Sequence, residues 1–238
     1  PWPEKPGSRS ALGPCPGTAT AMAVAELASQ QKLLVVVVPS SASAAALERE
    51  LPLFSSAPLN ILTLPDWETL PYDNFSPHQD IVSERLATFH QLQDIATGIL
   101  IVPITTLMQR TPPVHYVAGN SLVLDVGQAL DSKTLIHNLT LNGYRAVDTV
   151  YEHGEYAVRG SLLDIFPMGS QAPYRIDLFD AEIETLRSFD PETQRTINKV
   201  ESVRLLPARE FPLTEEGIRR FKLNWYRKFD GDPEACPL

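Results

Sequence analysis

Leu33-Leu34-Val35-Val36-Val37-Val38 is an all-apolar run of strand length, and Pro39 closes it. An unbroken apolar run, as opposed to an alternating one, marks a strand with both faces covered. Upstream, residues 18–30 form an Ala-rich stretch that reads as a helix. Downstream, Ser41 or Ser43 can cap a second helix that runs to about Leu51. Residues 59–64 make another short apolar run, and an aromatic and proline-rich loop follows over 66–77. A helix over 79–93 then leads to a third strand over 98–102, closed by Pro103. Apolar strands alternating with helices predict an α/β fold whose parallel sheet is covered on both faces.

Near Pro112-Pro113 the pattern changes. Residues 121–126 alternate polar and apolar, as a half-exposed strand does, and Asp131 or Ser132 caps a helix that Gly143 stops. Short strand-like runs follow over 145–150, 156–159, 161–166, 174–179, 183–189 and 199–205. Gly160, Met168-Gly169 and Asp190-Pro191 punctuate them as turns or bulges. The expected organisation is an α/β domain over 1–117, a mostly antiparallel α+β domain over 118–207, and a helical segment over 208–238.

Composition narrows the functional classes. The chain is 43% hydrophobic and 21% charged, ordinary for a globular fold, and its longest apolar run is far too short to span a bilayer. No basic segment leads into an apolar core near the start, so no secretory leader is expected. Cys15 and Cys236 are the only cysteines, which fits a reducing cytosol better than a disulfide framework. A net charge of −9 argues against sequence-independent DNA binding, which depends on Lys and Arg displacing counterions. Arg219-Arg220-Phe221-Lys222 and Trp225-Tyr226-Arg227-Lys228 alternate bases with aromatics. The aromatics fall at helical spacing, so we read a core-facing stripe with solvated bases.

Leu12-Gly13-Pro14-Cys15-Pro16-Gly17-Thr18-Ala19-Thr20-Ala21 stands directly before the first helix, where a phosphate-binding loop would lie. Aligned on Gly17, the position that needs Lys holds Thr20, and the position that needs a magnesium-binding hydroxyl holds Ala21. Only backbone N–H groups remain for an anion. Gly17, Thr18, Ala19, Thr20 and Ala21 therefore read as a degenerate loop, and no cofactor is expected. His78, Asp80 and Glu84 fit a helix start better than a metal site or an acid/base pair. His115, His137 and His153 are isolated in sequence, no metal-ligand spacing occurs, and no nucleophile signature is present.

Two stretches carry a family resemblance. The first is Asp66-Trp67-Glu68-Thr69-Leu70-Pro71-Tyr72-Asp73, continuing through Ser76-Pro77-His78-Gln79-Asp80. The second is Glu152-His153-Gly154-Glu155-Tyr156-Ala157-Val158-Arg159-Gly160-Ser161-Leu162-Leu163-Asp164-Ile165-Phe166-Pro167, with Tyr174-Arg175-Ile176-Asp177-Leu178-Phe179-Asp180 and Ser188-Phe189-Asp190-Pro191 beyond it. Together they resemble the N-terminal region of the bacterial transcription-repair coupling factors (Mfd), in the module these share with the excision-repair protein UvrB. The resemblance implies a UvrB-like module: a degenerate nucleotide-binding-type α/β domain with an inserted domain that docks UvrA. It implies that this part does no chemistry, and that RNA polymerase and DNA are engaged by other domains of the longer protein. Residues 72–84 are too short for the DNA-inserting hairpin of UvrB. Arg159, Arg175 and Phe179 stand at the family's UvrA-contacting positions. From the residues alone, the arginines could instead pair with Asp177 or Glu182, and Phe179 could be core.

Overall fold

The structure is a computed structural model that describes residues 7–30, 33–55, 58–70 and 73–229. Its elements in chain order are α1 (Ala19–Gln30), β1 (Leu33–Val38), α2 (Ser41–Glu50), β2 (Ile61–Thr63), α3 (Gln79–Gln91), β3 (Gly98–Pro103), α4 (Ile104–Leu107), α5 (Val114–Gly119), β4 (Leu122–Asp125) and α6 (Ser132–Leu141). They continue as β5 (Arg145–Ala146), β6 (Glu155–Arg159), β7 (Leu162–Ile165), β8 (Tyr174–Phe179), β9 (Glu182–Phe189), β10 (Thr196–Val200), β11 (Ser202–Leu205) and α7 (Glu215–Trp225). The chain divides into two compact units. One comprises Pro1–Asp66 and Asp94–Gln109, the other Trp67–Gln93 and Arg110–Leu238. The sequence boundary at 117 follows strand pattern, whereas compactness groups α3 with the later elements, because Leu86 joins their core.

The first unit holds a three-stranded parallel sheet in the order β1-β3-β2. Ala21, Val24 and Ala25 of α1 and Ala44 and Leu47 of α2 cover one face, packing on Ile99 and Ile101 of the central strand. The small alanines let the helices sit close to the sheet. The other face bears out the expectation of two covered faces only in part: Leu62, Leu100 and Val102 are buried there, while Leu33, Val35 and Val37 of the edge strand β1 remain exposed. The cap of α2 is Ser40, not Ser41 or Ser43: its side chain accepts from the Ser43 N–H.

The second unit is built on a six-stranded sheet in the order β10-β9-β8-β7-β6-β5. Its pairs are antiparallel except β5 with β6. Alternation decides its faces. Tyr156, Leu163, Ile165, Ile176, Ile183 and Leu186 point into a core shared with Leu135 and Leu139 of α6. Asp131 caps α6 through the Lys133 and Thr134 N–H groups, and Gly143, at φ +90, stops it with the left-handed backbone a non-glycine residue would resist. Two expected strands change. The run over 145–150 keeps only two residues of strand, and the run over 199–205 divides between β10 and β11, which pair with β9 and β4 respectively.

The segment over 208–238 yields α7, capped by the Thr214 side chain, which accepts from Gly217 N–H. Its aromatic stripe is not buried in a core, contrary to expectation. No residue of α7 is buried, and Phe221, Trp225 and Phe229 stack on one another at 5.3 and 4.8 Å between ring centroids. Cys236 and Tyr72 lie outside the described residues.

Candidate docking surface

The strand register assembles the candidate residues. Arg159 on β6 lies opposite Leu162 on β7, which lies opposite Asp177 on β8. Directly opposed side chains share a face, and residues two apart on a strand do too. Asp177, Arg175 and Phe179 therefore rise from the same face as Arg159, away from Ile176 and its core. A bulge between Asp177 and Leu178 shifts the register so that Phe179 opposes Glu182. Arg159, Arg175 and Phe179, widely separated in sequence, thus occupy one sheet face.

Each has distinct surroundings. Phe179 is 66% exposed, so it is not a core residue. It immediately precedes a two-residue hairpin turn whose members, Asp180 and Ala181, both have positive φ (48° and 69°). Neither is glycine, so the turn is strained by on the order of 1 kcal/mol per residue. Leu130 N–H holds it by donating to Ala181 O at 2.7 Å. Arg159 ends β6 before the turn of Gly160, which at φ +63 takes the conformation a short hairpin requires. The Arg159 guanidinium donates to the Asp148 carbonyl and to Thr149 Oγ1 at 3.0 Å.

Arg175 does have a carboxylate partner, but it is neither Asp177 nor Glu182. Its Nε and a terminal nitrogen donate to the two oxygens of buried Asp164 at 2.7 and 2.8 Å, and its guanidinium lies 4.9 Å over the Phe189 ring. The bonded carboxylate raises the arginine's pKa further. A charge buried as deeply as Asp164 is tolerable because this two-pronged bond compensates it. Arg187 of β9, which the sequence reading did not single out, donates to Asp177 at 3.2 Å.

The loop that receives Arg159 is itself fixed by Glu155, whose carboxylate accepts from the Tyr151 and Glu152 N–H groups at 2.8 and 2.9 Å and from Arg145. Burial would push this carboxyl's pKa up, but the two backbone donors and the Arg145 guanidinium outweigh it and hold the group below its ordinary range. Beneath the sheet, Tyr144 donates to Leu206 O at 2.7 Å and accepts from Met168 N–H, and burial raises its pKa.

The other motif residues serve the fold. Trp67 Nε1 donates to Glu210 at 2.9 Å, and Glu210 also pairs with Arg85, which is fully buried. His78 caps α3, while His153 sits between the Asp80 carboxylate at 2.7 Å and Ser170 O at 2.9 Å and stacks on Phe166. Thr20 Oγ1 bonds Cys15 O, and Ala21 is fully buried against α2 and the parallel sheet, so the position that would hold a metal-binding hydroxyl is a packing contact. No strand precedes that loop among the described residues, and none of them form a cluster of three or more His, Cys, Asp or Glu able to hold a metal. No described helix is long and apolar enough to cross a membrane.

Comparison with known proteins bears on this surface. Residues 122–211 match the UvrB interaction domain, a span that contains Arg159, Arg175 and Phe179. The transcription-repair-coupling factor of Escherichia coli (strain K12) is 48% identical over 235 residues, 98% of this chain and 20% of that protein. Its counterpart in Haemophilus influenzae is 47% identical over 236 residues, 98% and 20% respectively. That of Myxococcus xanthus is 38% identical over 157 residues, 66% of this chain and 13% of the relative. The chain spans about a fifth of the length of the first two relatives. Over that fifth, it belongs to the family of transcription-repair-coupling factors and carries a UvrB interaction domain.

Proposed function

We propose that this chain is a non-catalytic docking module that binds UvrA through the β6–β9 face bearing Arg159, Arg175 and Phe179. Within the longer protein it recruits nucleotide excision repair to stalled RNA polymerase in the cytoplasm. Contacts to the polymerase and to DNA belong to other parts of that protein. The parallel-sheet unit is then a nucleotide-binding-type domain that has lost its chemistry, and the antiparallel part is an insertion into it. The observation that carries the reading is the convergence of three sequence-distant residues on one face, with Phe179 two-thirds exposed on a strained hairpin. Arginine and aromatic side chains dominate interface energetics, and strained backbone tends to accumulate at functional sites.

Titration of UvrA with the 238-residue chain tests it. Arg159→Ala and Phe179→Ala should each weaken binding by roughly thirtyfold, the equivalent of about 2 kcal/mol, without lowering the melting temperature. Arg49→Ala, on the exposed face of α2, serves as a control and should bind as wild type. Full-strength binding by both variants would overturn the site. Thr20 and Ala21 speak against the rival reading, an ATP-dependent helicase-type fragment, and micromolar magnesium-ATP binding would revive it.

A further inference from the structure

The docking face carries more positive charge than its three family positions supply. Arg187 on β9 lies directly opposite Arg175 on β8, and Lys199 on β10 lies directly opposite Arg187. The three cations form one row across three neighbouring strands, next to Asp164 on β7. Like charges placed directly opposite each other across a sheet are destabilising, so the isolated chain bears a cost at this row. Counting Arg145 and Arg159, the face holds five cations against Glu155, Asp164, Asp177 and Glu182, in a chain whose net charge is −9.

The two arginines of the row are served differently. Asp164 occupies one whole edge of the Arg175 guanidinium, and the Arg175 side chain is 18% exposed. Arg187 makes a single hydrogen bond, 3.2 Å from a terminal nitrogen to Asp177 Oδ2. Its Nε is buried without an acceptor, and its side chain is 29% exposed. A guanidinium has five N–H donors and grips a carboxylate best with two of them. Asp177 orients Arg187 without saturating it.

Resting on the UvrA-docking reading, we infer that Arg187 is a further docking residue, at the centre of a cationic row Arg175–Arg187–Lys199 that receives an acidic patch on UvrA. A partner carboxylate takes the terminal nitrogens of the Arg187 guanidinium, its Nε being buried, and relieves its repulsion with Arg175 and Lys199. Lys199, fully on the exposed side, steers the approach and adds less to the bound state. Phe179 supplies the apolar contact at the other end of β8.

The test is calorimetric titration of UvrA with the 238-residue chain carrying Arg187→Ala, Arg187→Lys or Lys199→Ala, beside Arg159→Ala and Phe179→Ala, each with its thermal melt. Arg187→Ala should lower affinity about tenfold or more and flatten its dependence on salt. Arg187→Lys keeps the charge beside Asp177 but lacks the fork, so it should lose most of that affinity while melting like wild type. Lys199→Ala should cost only about twofold to fivefold. If Arg187→Lys folds and binds as tightly as wild type, the inference is wrong. Should that happen while Arg159→Ala or Phe179→Ala still weakens binding, the docking reading stands without Arg187. If no variant weakens binding, the docking reading itself falls.

Discussion

The two units solve the problem of polar residues in opposite ways. In the parallel-sheet unit, Ala21, Val24, Ala25, Ala44, Leu47, Ile99 and Ile101 make a core from apolar side chains. The loop before α1, where a phosphate site would stand, contributes one weak side-chain bond from Thr20 and a buried methyl from Ala21. In the antiparallel unit, charge is carried inward and paired: Arg85 with Glu210, Arg175 with Asp164, Glu155 with Arg145. A helix N-terminus offers backbone dipoles that any sequence supplies, so its specificity rests on a few side chains and vanishes with them. A sheet face instead places side chains from separate strands at fixed spacing, so a set of charges can be held ready for a partner. The first unit keeps its core apolar, and the second holds paired charges on and beneath its sheet.

The sharpest way to break this contrast is to remove one buried charge. Arg85→Ala leaves Glu210 buried without its counter-ion and Trp67 without the cation 4.8 Å from its ring. Stability should fall by about 3–5 kcal/mol, seen as a large drop in the urea midpoint followed by tryptophan fluorescence. A loss below about 1 kcal/mol would mean that the buried pairs are incidental.

A smaller effect is expected from placing a hydroxyl at position 21 of the first unit. Ala21→Thr adds a branched polar group at a fully buried position and should cost about 1–3 kcal/mol by overpacking, without conferring magnesium-ATP binding. A stable variant that binds the nucleotide would overturn the reading of this loop as non-functional.

The smallest concerns Glu155, whose folded-state pKa is depressed. Its contribution is present above the unfolded carboxylate value of about 4.3 and disappears as the pH falls through the lower folded value. Glu155→Gln should cost on the order of 1 kcal/mol at neutral pH and flatten the acid limb of the stability curve. Parallel acid limbs for variant and wild type would place that pH dependence elsewhere. The same substitution loosens the loop that holds Arg159, so a modest fall in UvrA affinity should accompany it.

Much of this was legible in the residues because it is local. Unbroken apolar runs announced β1 and β3, alternation announced β4, short strand-like runs between turn residues announced most strands of the antiparallel sheet, Asp131 or Ser132 marked the start of α6, and Gly143 and Gly160 marked turns. The motif around Arg159, Arg175 and Phe179 singled out candidate residues that fall on one face. What stayed illegible depends on register and neighbours. Composition could not say that Arg175 pairs with Asp164 rather than Asp177, because a strand's period of two fixes the face of a side chain, while only the pairing of β7 with β8 fixes what it opposes. The row of Arg175, Arg187 and Lys199 exists only across three strands, and the run over 199–205 divides because its two halves found different partner strands. The open side of β1 was equally hidden, since four valines in sequence state how apolar a strand is and only the packed helices decide which face they cover. Sequence determined most of the elements, and tertiary structure decided which faces are covered and which strands pair, because cross-strand register and helix packing are set by contacts between residues far apart in the chain.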